Sequence, residues 1–528
     1  MSIPSPKTGS ALNLQTGGEI IERIPLANAA EAVNDLDQFL DRLLADAPDP
    51  QTYFQLLEQV WLPITFVAEE LAKRYVNKPI PFGDVEETFF HQVILLWLKT
   101  SKAYAQCAAT TSPGYNPSQK EHFATLLYRC IYFNGMAILE HHRARREVPW
   151  GLWLDLHAHY RSAEDLHLAT LPIANLEDTG KTHCAAVYLS FVLCDMAGSY
   201  SLSLRDQQLV RRWAIDWSEM IGLHPVVVGE TLPPFVIDLM QDVALRPVAD
   251  CLNTDQIRVL DTSRLSAHIE HIRQELRQRI PLAQIGLSED CTRQQCLRIL
   301  GLLTYQWSLA RAPRKFRRHA TTGTIRICTG FEEMYHFIAG KEFQQPENKN
   351  VYSHRDTDGV FSTRFQDDPQ QTRETAPSPY GMDDWEIVDQ SANGFRLIRS
   401  VGGRKMAHGQ LLALRPSDSA RFLFAQTTWL MQEGDGGLIA GLRALPGLPQ
   451  AVCARSGVMA GESRDMYQRA FLLPALTTTN AEQSLVLPPG WFRPGIIIEV
   501  YSDKAWRARL KKLLDSGPDF ERANFEVC

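Results

Sequence analysis

A chain of 528 residues is too long for one ordinary hydrophobic core, so two to four domains are expected. With 45% hydrophobic residues, 22% charged residues and a formal charge of -7, the composition is globular and argues against wholesale polyanion binding, so any anion site has to be local. The 10 scattered cysteines form no C-x-x-C pair, which argues against a disulfide framework or a zinc site and for a reduced cytoplasmic chain; on one helix, Cys291 and Cys296 would fall on different faces.

The opening MSIPSPKTGSALNLQTGG is polar and lacks the basic-then-apolar order of a secretory signal, so a disordered tail is expected over residues 1–19. Residues 20–310 read as helices. In AVNDLDQFLDRLLADAP, Leu36, Phe39, Leu40, Leu43 and Leu44 make one apolar stripe that Pro48 closes. Further helical segments follow at about 53–75, 85–107, 118–146, 181–196 and 205–221. In TSRLSAHIEHIRQELRQRI the residues Leu265, Ile269, Ile272, Leu276 and Ile280 share one side, and a last helix at 292–310 stops before Pro313. The apolar stretch 185–194 ends at Asp195 and is too short for a membrane span. No fixed repeat length emerges, leaving a solenoid and an irregular bundle both open.

Beyond RAPRKFRRH the texture changes. TGTIRI is a short β-rich run and FEEMYHFIAG is helical, while residues 341–384 are rich in Gln, Asn, Asp, Thr and Pro and read as a mobile inserted loop. WEIVD, GFRLIRS, GQLLALR, ARFLFAQTTWL and GGLIAGLRAL then alternate with turn residues, as a small antiparallel barrel requires. In the first of these turns, Asn393-Gly394 favours the positive backbone angles of a type I′ turn. RAFLLPAL, QSLVLP and GIIIEVYS follow, with WRARLKKLL reading equally as strand or helix; they either extend the barrel or form a second one.

Two short motifs stand in order across this change. Arg314 and Arg318 form an R-x-x-x-R just before the first strand, and Asp389, Ser391 and Gly394 form a D-x-S-x-x-G at the barrel turn. An R-x-x-x-R alone is commonly a solvated helix end, and the turn motif alone is modest; their order, with strands on both sides, points to one site. This order resembles the PilZ family, bacterial receptors for cyclic di-GMP, over about residues 311–455. The fold class implied is multidomain α + β. An all-helical N-terminal interaction domain (20–310) is followed by a PilZ-like small antiparallel β-barrel (311–455), with its polar inserted loop at 341–384, and by a β-rich C-terminal extension (456–528).

Cyclic di-GMP carries two phosphodiester charges and two guanines, which arginine forks and well-placed acceptors suit. The resemblance implies that Arg314 and Arg318 wrap the ligand, with Arg311 and Arg317 close enough to serve too. Asp389 accepts from guanine N1–H or N2–H₂, Ser391 donates to phosphate or fixes the turn, and Gly394 permits close backbone approach. One departure is the gap from Arg318 to Asp389, longer than the family usually shows, which leaves the strand order between Ile325 and Trp385 open. The implied function is a cytoplasmic cyclic di-GMP effector, not an enzyme. It couples the nucleotide to a protein partner of the helical domain, with motility, adhesion, biofilm or exopolysaccharide control as output. The alternative is a ligand-free PilZ-like scaffold.

Weaker signals have plainer readings. His157, His159, Glu164 and His167 invite a metal, but His157 and His159 would point to different faces of a helix, so no metal and no cofactor beyond the nucleotide ligand are expected. HHRARRE at 141–147 reads as a solvated helix end, not a nucleic-acid contact, in an acidic chain. No Ser-His-Asp order, P-loop or H-E-x-x-H stands in a convincing setting, and no membrane insertion is expected.

Overall fold

The computed structural model describes residues 12–111, 117–174, 181–227, 229, 231–251, 254–309, 318–346, 380–400, 402–456, 466–476 and 480–528. The chain divides into two compact units, Met1–Lys315 with Leu430–Leu438, and Phe316–Trp429 with Ile439–Cys528.

The first unit is built on helices α1 (Leu14–Glu22), α2 (Ala29–Ala45), α3 (Pro50–Ala72), α4 (Asp84–Thr110), α5 (Pro117–Arg143), α6 (Leu152–Asp165), α7 (Cys184–Met196), α8 (Leu204–Trp217), α9 (Ser263–Arg277) and α10 (Arg293–Gln306). The side chains of Asn13, Asp49, Ser203 and Thr292 each accept a hydrogen bond from the N–H three residues on, so α1, α3, α8 and α10 start where a cap is available. The Asn13 cap starts α1 inside the stretch expected to be a disordered tail. The stripe of α2 is buried at Leu36, Phe39, Leu40 and Leu43. Trp97 and Tyr104 of α4 stack on Phe133 of α5 with ring centroids 6.0 and 5.6 Å apart. Burying aromatics of this size contributes roughly 1.5–3 kcal/mol each.

The helical region also holds strands. Short β1 (Ile173–Ala174) pairs with β2 (Lys181–Thr182), and β3 (Gly222–Pro225), β4 (Phe235–Asp238), β5 (Arg246–Pro247) and β6 (Ile257–Asp261) form an antiparallel sheet in the order β3-β6-β4-β5. The loop after β4 carries Asp242, whose carboxylate accepts from the N–H groups of Gly151, Trp153 and Leu154 and so caps α6. Segment Leu430–Leu438 belongs to this unit as well: Gln432 accepts from the N–H of Glu147 and donates to the carbonyl of Arg145, both at 2.8 Å.

Two polar clusters of this unit differ from expectation, and a third, around His157, has protein partners. The end of α5 is not solvated, because its cations find partners elsewhere in the chain. His141 and His142 are buried, and Arg143 bridges Glu69 at 3.0 Å and Glu140 at 2.9 Å. Arg145 donates to the carbonyls of Tyr200 and Leu202 at 2.6 Å, and Arg146 pairs with Glu87. Burial pushes the His141 imidazole down to about 4. His157 is a core residue, its ring nitrogens meeting the Val243 carbonyl at 3.0 Å and the Tyr188 hydroxyl at 2.8 Å, while Glu164 accepts from Arg258 at 2.6 Å. Cys291 precedes the cap of α10 instead of lying on a helix with Cys296, and the loop brings the two buried sulfurs to 2.6 Å. Burial pushes the Cys296 thiol up to about 12.

The second unit holds β7 (His319–Ala320), β8 (Thr324–Thr329), α11 (Phe331–Ala339), β9 (Asp383–Ser391), β10 (Gly394–Arg399), β11 (Leu411–Pro416), β12 (Leu423–Gln432) and β13 (Leu438–Ala444). Their order is β10-β13-β12-β11-β8-β9-β7, and β10 also pairs with β9, so β8 to β13 close into a barrel. The strand order left open by the long gap is thereby resolved: β8 and β9 pair directly, Ile325 opposite Trp385. Of the polar insert, residues 347–379 lie outside the described residues, whereas Gln345 before them is held by both backbone groups of Tyr467.

The C-terminal strands β14 (Gln450–Ser456), β15 (Gln468–Leu473), β16 (Ser484–Leu487), β17 (Ile497–Tyr501), β18 (Ala505–Ser516) and β19 (Glu521–Val527) make a second closed barrel, β14-β15-β16-β19-β18-β17. The ambiguous WRARLKKLL is strand β18. The boundary expected at 455/456 falls inside β14, which pairs in the second barrel. The two barrels share a core: Cys328, Met334, Leu411, Phe422 and Phe424 cluster with Phe471, Leu473, Val486 and Phe520, and the rings of Phe424 and Phe471 meet edge-on at 4.9 Å. By strand alternation, Leu412 and Leu414 face the other way, into the first barrel with Ile325 and Ile327.

Candidate ligand-binding face

The D-x-S-x-x-G residues close the β9–β10 hairpin. Ser391 is paired with Gly394, so the two-residue loop is Ala392-Asn393, and neither Asn393 nor Gly394 has a positive φ. The expected type I′ turn centred on Asn393-Gly394 is therefore not formed; register places Gly394 in the strand. The glycine is required for another reason. A Cβ there would sit 2.5 Å from the Leu442 carbonyl oxygen, so Gly394 lets β10 and β13 approach closely. The Ser391 hydroxyl donates within the turn, to Asn393 Oδ1 at 3.2 Å and to the Gly394 carbonyl at 3.4 Å.

Asp389 lies two residues earlier, on the same strand face as Ser391 by alternation. Arg318 Nη1 donates to Asp389 Oδ1 at 2.7 Å, which joins the two sequence motifs across 71 residues. Strand β7 explains the meeting: Ala320 pairs with Asp389 and His319 with Gln390, so the chain leaving the R-x-x-x-R runs along β9. The Arg318 side chain is 33% exposed and that of Asp389 19%, which leaves the pair open to exchange with solvent or a ligand. Arg311, Arg314 and Arg317 lie outside the described residues.

Sequence reasoning passed over Arg396 and Trp429. Arg396 is the cross-strand partner of Asp389 and so shares its face, and its guanidinium carbon is 6.0 Å from the centre of the Trp429 ring. The indole lies over Gly441 of β13, where any side chain would overlap it. The signal in the sequence is an arginine two residues after the motif glycine, but its face follows only once the loop length fixes the register.

A helical unit followed by a six-stranded barrel bearing this arginine–carboxylate pair, and then by a second barrel, is the architecture of a three-part nucleotide receptor of the PilZ type. Three family models match in the same order: "Cyclic-di-GMP receptor FimW, N-terminal domain" over residues 17–226, "Cyclic-di-GMP receptor FimW, middle PilZ domain" over 235–378, and "FimW C-terminal beta-barrel domain" over 453–528. The chain belongs to the PilZ-domain cyclic di-GMP receptor family. It is similar to the cyclic-di-GMP receptor FimW of Pseudomonas aeruginosa, 21% identical over 536 residues that cover 91% of this chain and 84% of the relative. The middle-domain match begins in β4, well ahead of the 311 boundary read from the sequence. Among the described residues no helix is long and apolar enough to cross a membrane.

Proposed function

We propose that this chain is a cytoplasmic effector that binds cyclic di-GMP on the first barrel, through Arg314, Arg318, Asp389, Ser391 and Gly394 with Arg311 and Arg317 nearby. The observation that supports this reading is the Arg318–Asp389 ion pair, which brings the last residue of the arginine motif to the hairpin motif. A phosphodiester takes the arginine fork, while the freed carboxylate accepts from the N1–H and N2–H₂ of a guanine. Binding engages the arginine run and shifts the helical domain between two arrangements, which its protein partner reads; the ligand achieves this only by differential affinity for the two. The output is motility, adhesion, biofilm formation or exopolysaccharide control, and the protein acts as a switch without catalysis. The reading of residues 311–455 as the receptor domain belongs to this proposal.

Calorimetric titration of the purified chain with cyclic di-GMP, run beside GTP and beside an Arg314→Ala, Arg318→Ala double variant, tests it. Selective binding that the variant loses is expected. No heat together with an unchanged melting temperature would instead mean a barrel that has lost its ligand and serves as a protein scaffold.

A further inference from the structure

We propose that Arg396 and Trp429 form the guanine platform of the site, with Trp429 as the stacking surface and Arg396 as the fork that reads the base edge. This rests on the cyclic di-GMP reading above. Four observations point to it. Arg396 stands opposite Asp389 in the β9–β10 register, so a carboxylate and a guanidinium face the same side at neighbouring positions. Its Nε is shielded from solvent and has no hydrogen-bond partner, unlike the Nη1 of Arg318, which Asp389 holds. The indole of Trp429 is laid across β13 on bare Gly441, reaching from β12 toward β10, and remains partly exposed. Arg396 and the indole are adjacent, 6.0 Å from guanidinium carbon to ring centre.

The chemistry fits a guanine. The base offers a flat face, O6 and N7 acceptors on one edge, and N1–H and N2–H₂ donors on the next. The indole stacks on the face, the arginine fork donates to O6 and N7, and Asp389 accepts from the donor edge. Adenine presents an amino donor where guanine has O6, so Arg396 also rejects the adenine analogue. As a plain surface arginine beside a partly buried tryptophan, the pair would have no bearing on nucleotide affinity.

The test is titration of the full chain with cyclic di-GMP and with cyclic di-AMP, followed by calorimetry and by tryptophan fluorescence, for the wild type, Arg318→Ala, Arg396→Gln, Arg396→Lys, Trp429→Leu and Trp429→Phe. Expected is a loss of cyclic di-GMP affinity of about ten-fold or more in Arg396→Gln and Trp429→Leu. Arg396→Lys recovers little, because it keeps the charge without the fork, and Trp429→Phe recovers most of the affinity. Ligand quenches emission in the wild type and leaves that of Trp429→Phe unchanged, although this variant still binds; a merely structural tryptophan would not produce that difference. Full affinity in both Arg396→Gln and Trp429→Leu, with Arg318→Ala impaired, overturns the platform and leaves the receptor reading standing. Absence of wild-type binding overturns both.

Discussion

The two motif positions best separated by physics are Gly394 and Arg318. A methyl carbon at Gly394 meets a backbone carbonyl that cannot swing aside, so Gly394→Ala should lower stability by about 1–3 kcal/mol, read from the midpoint of urea unfolding. Arg318→Ala should do the reverse of this. The ion pair with Asp389 is partly exposed, so unfolding should shift by no more than about 1 kcal/mol, while cyclic di-GMP affinity falls by about one to two decades in the same preparation. An equal stability loss in both variants would make Arg318 a structural residue. At this scale the sequence revealed residue types and their order, which is why Arg318 and Asp389 were nameable. It did not reveal why Gly394 is glycine, or that Arg396 shares a face with Asp389, because both depend on which residues lie opposite across a strand pair.

Among the elements, the end of α5 and the loop before β19 carry the sharpest energetics. Glu140 is fully buried and accepts from Tyr75 at 2.6 Å and from Arg143 at 2.9 Å. Glu140→Ala leaves the buried Tyr75 hydroxyl without its acceptor and Arg143 with Glu69 alone, and should cost about 1–3 kcal/mol in unfolding free energy, with Glu140→Gln milder because it keeps an acceptor for Tyr75. Asp519 joins the barrels by accepting from the Leu411 N–H at 3.1 Å, and burial pushes its carboxyl up to about 6. A folded value above the unfolded one means that folding takes up a proton as pH falls from about 6 to about 4. The ionised side chain thus weighs against folding above about 6, by roughly 3 kcal/mol, and that penalty disappears toward about 4. Asp519→Asn should therefore stabilise the protein at pH ~7.5 and bring little gain at pH ~4.5, measured by urea titration at both. Most helices and the strands of the first barrel were legible, since stripes such as Leu36, Phe39, Leu40 and Leu43 repeat over several turns. The sheet of β3 to β6 was not, because strands of two to five residues are too short to show a period. The HHRARRE run misled because burial of a cation is decided by carboxylates and carbonyls far away in the chain.

Across the whole molecule the division into a helical unit and a two-barrel unit predicts two calorimetric transitions. Cyclic di-GMP at about a hundred times its dissociation constant should raise the barrel transition by about 2.7 kcal/mol worth of stability and leave the helical one in place. Movement of the helical transition alone would relocate the site. Family membership was readable from one hairpin and one arginine run, whereas the second barrel as a closed ring was not, because closure is a property of pairings between β14 and β17 that no local pattern encodes.

The shared core of the two barrels also decides where this gene can be shortened. A stop codon after β13 would remove Phe471, Leu473, Val486 and Phe520 and leave Leu411, Phe422 and Phe424 as an uncovered greasy patch on an otherwise complete first barrel. The truncated product should appear in inclusion bodies and not as a smaller working receptor. The C-terminal barrel is then a permanent lid on its neighbour and no modular tail.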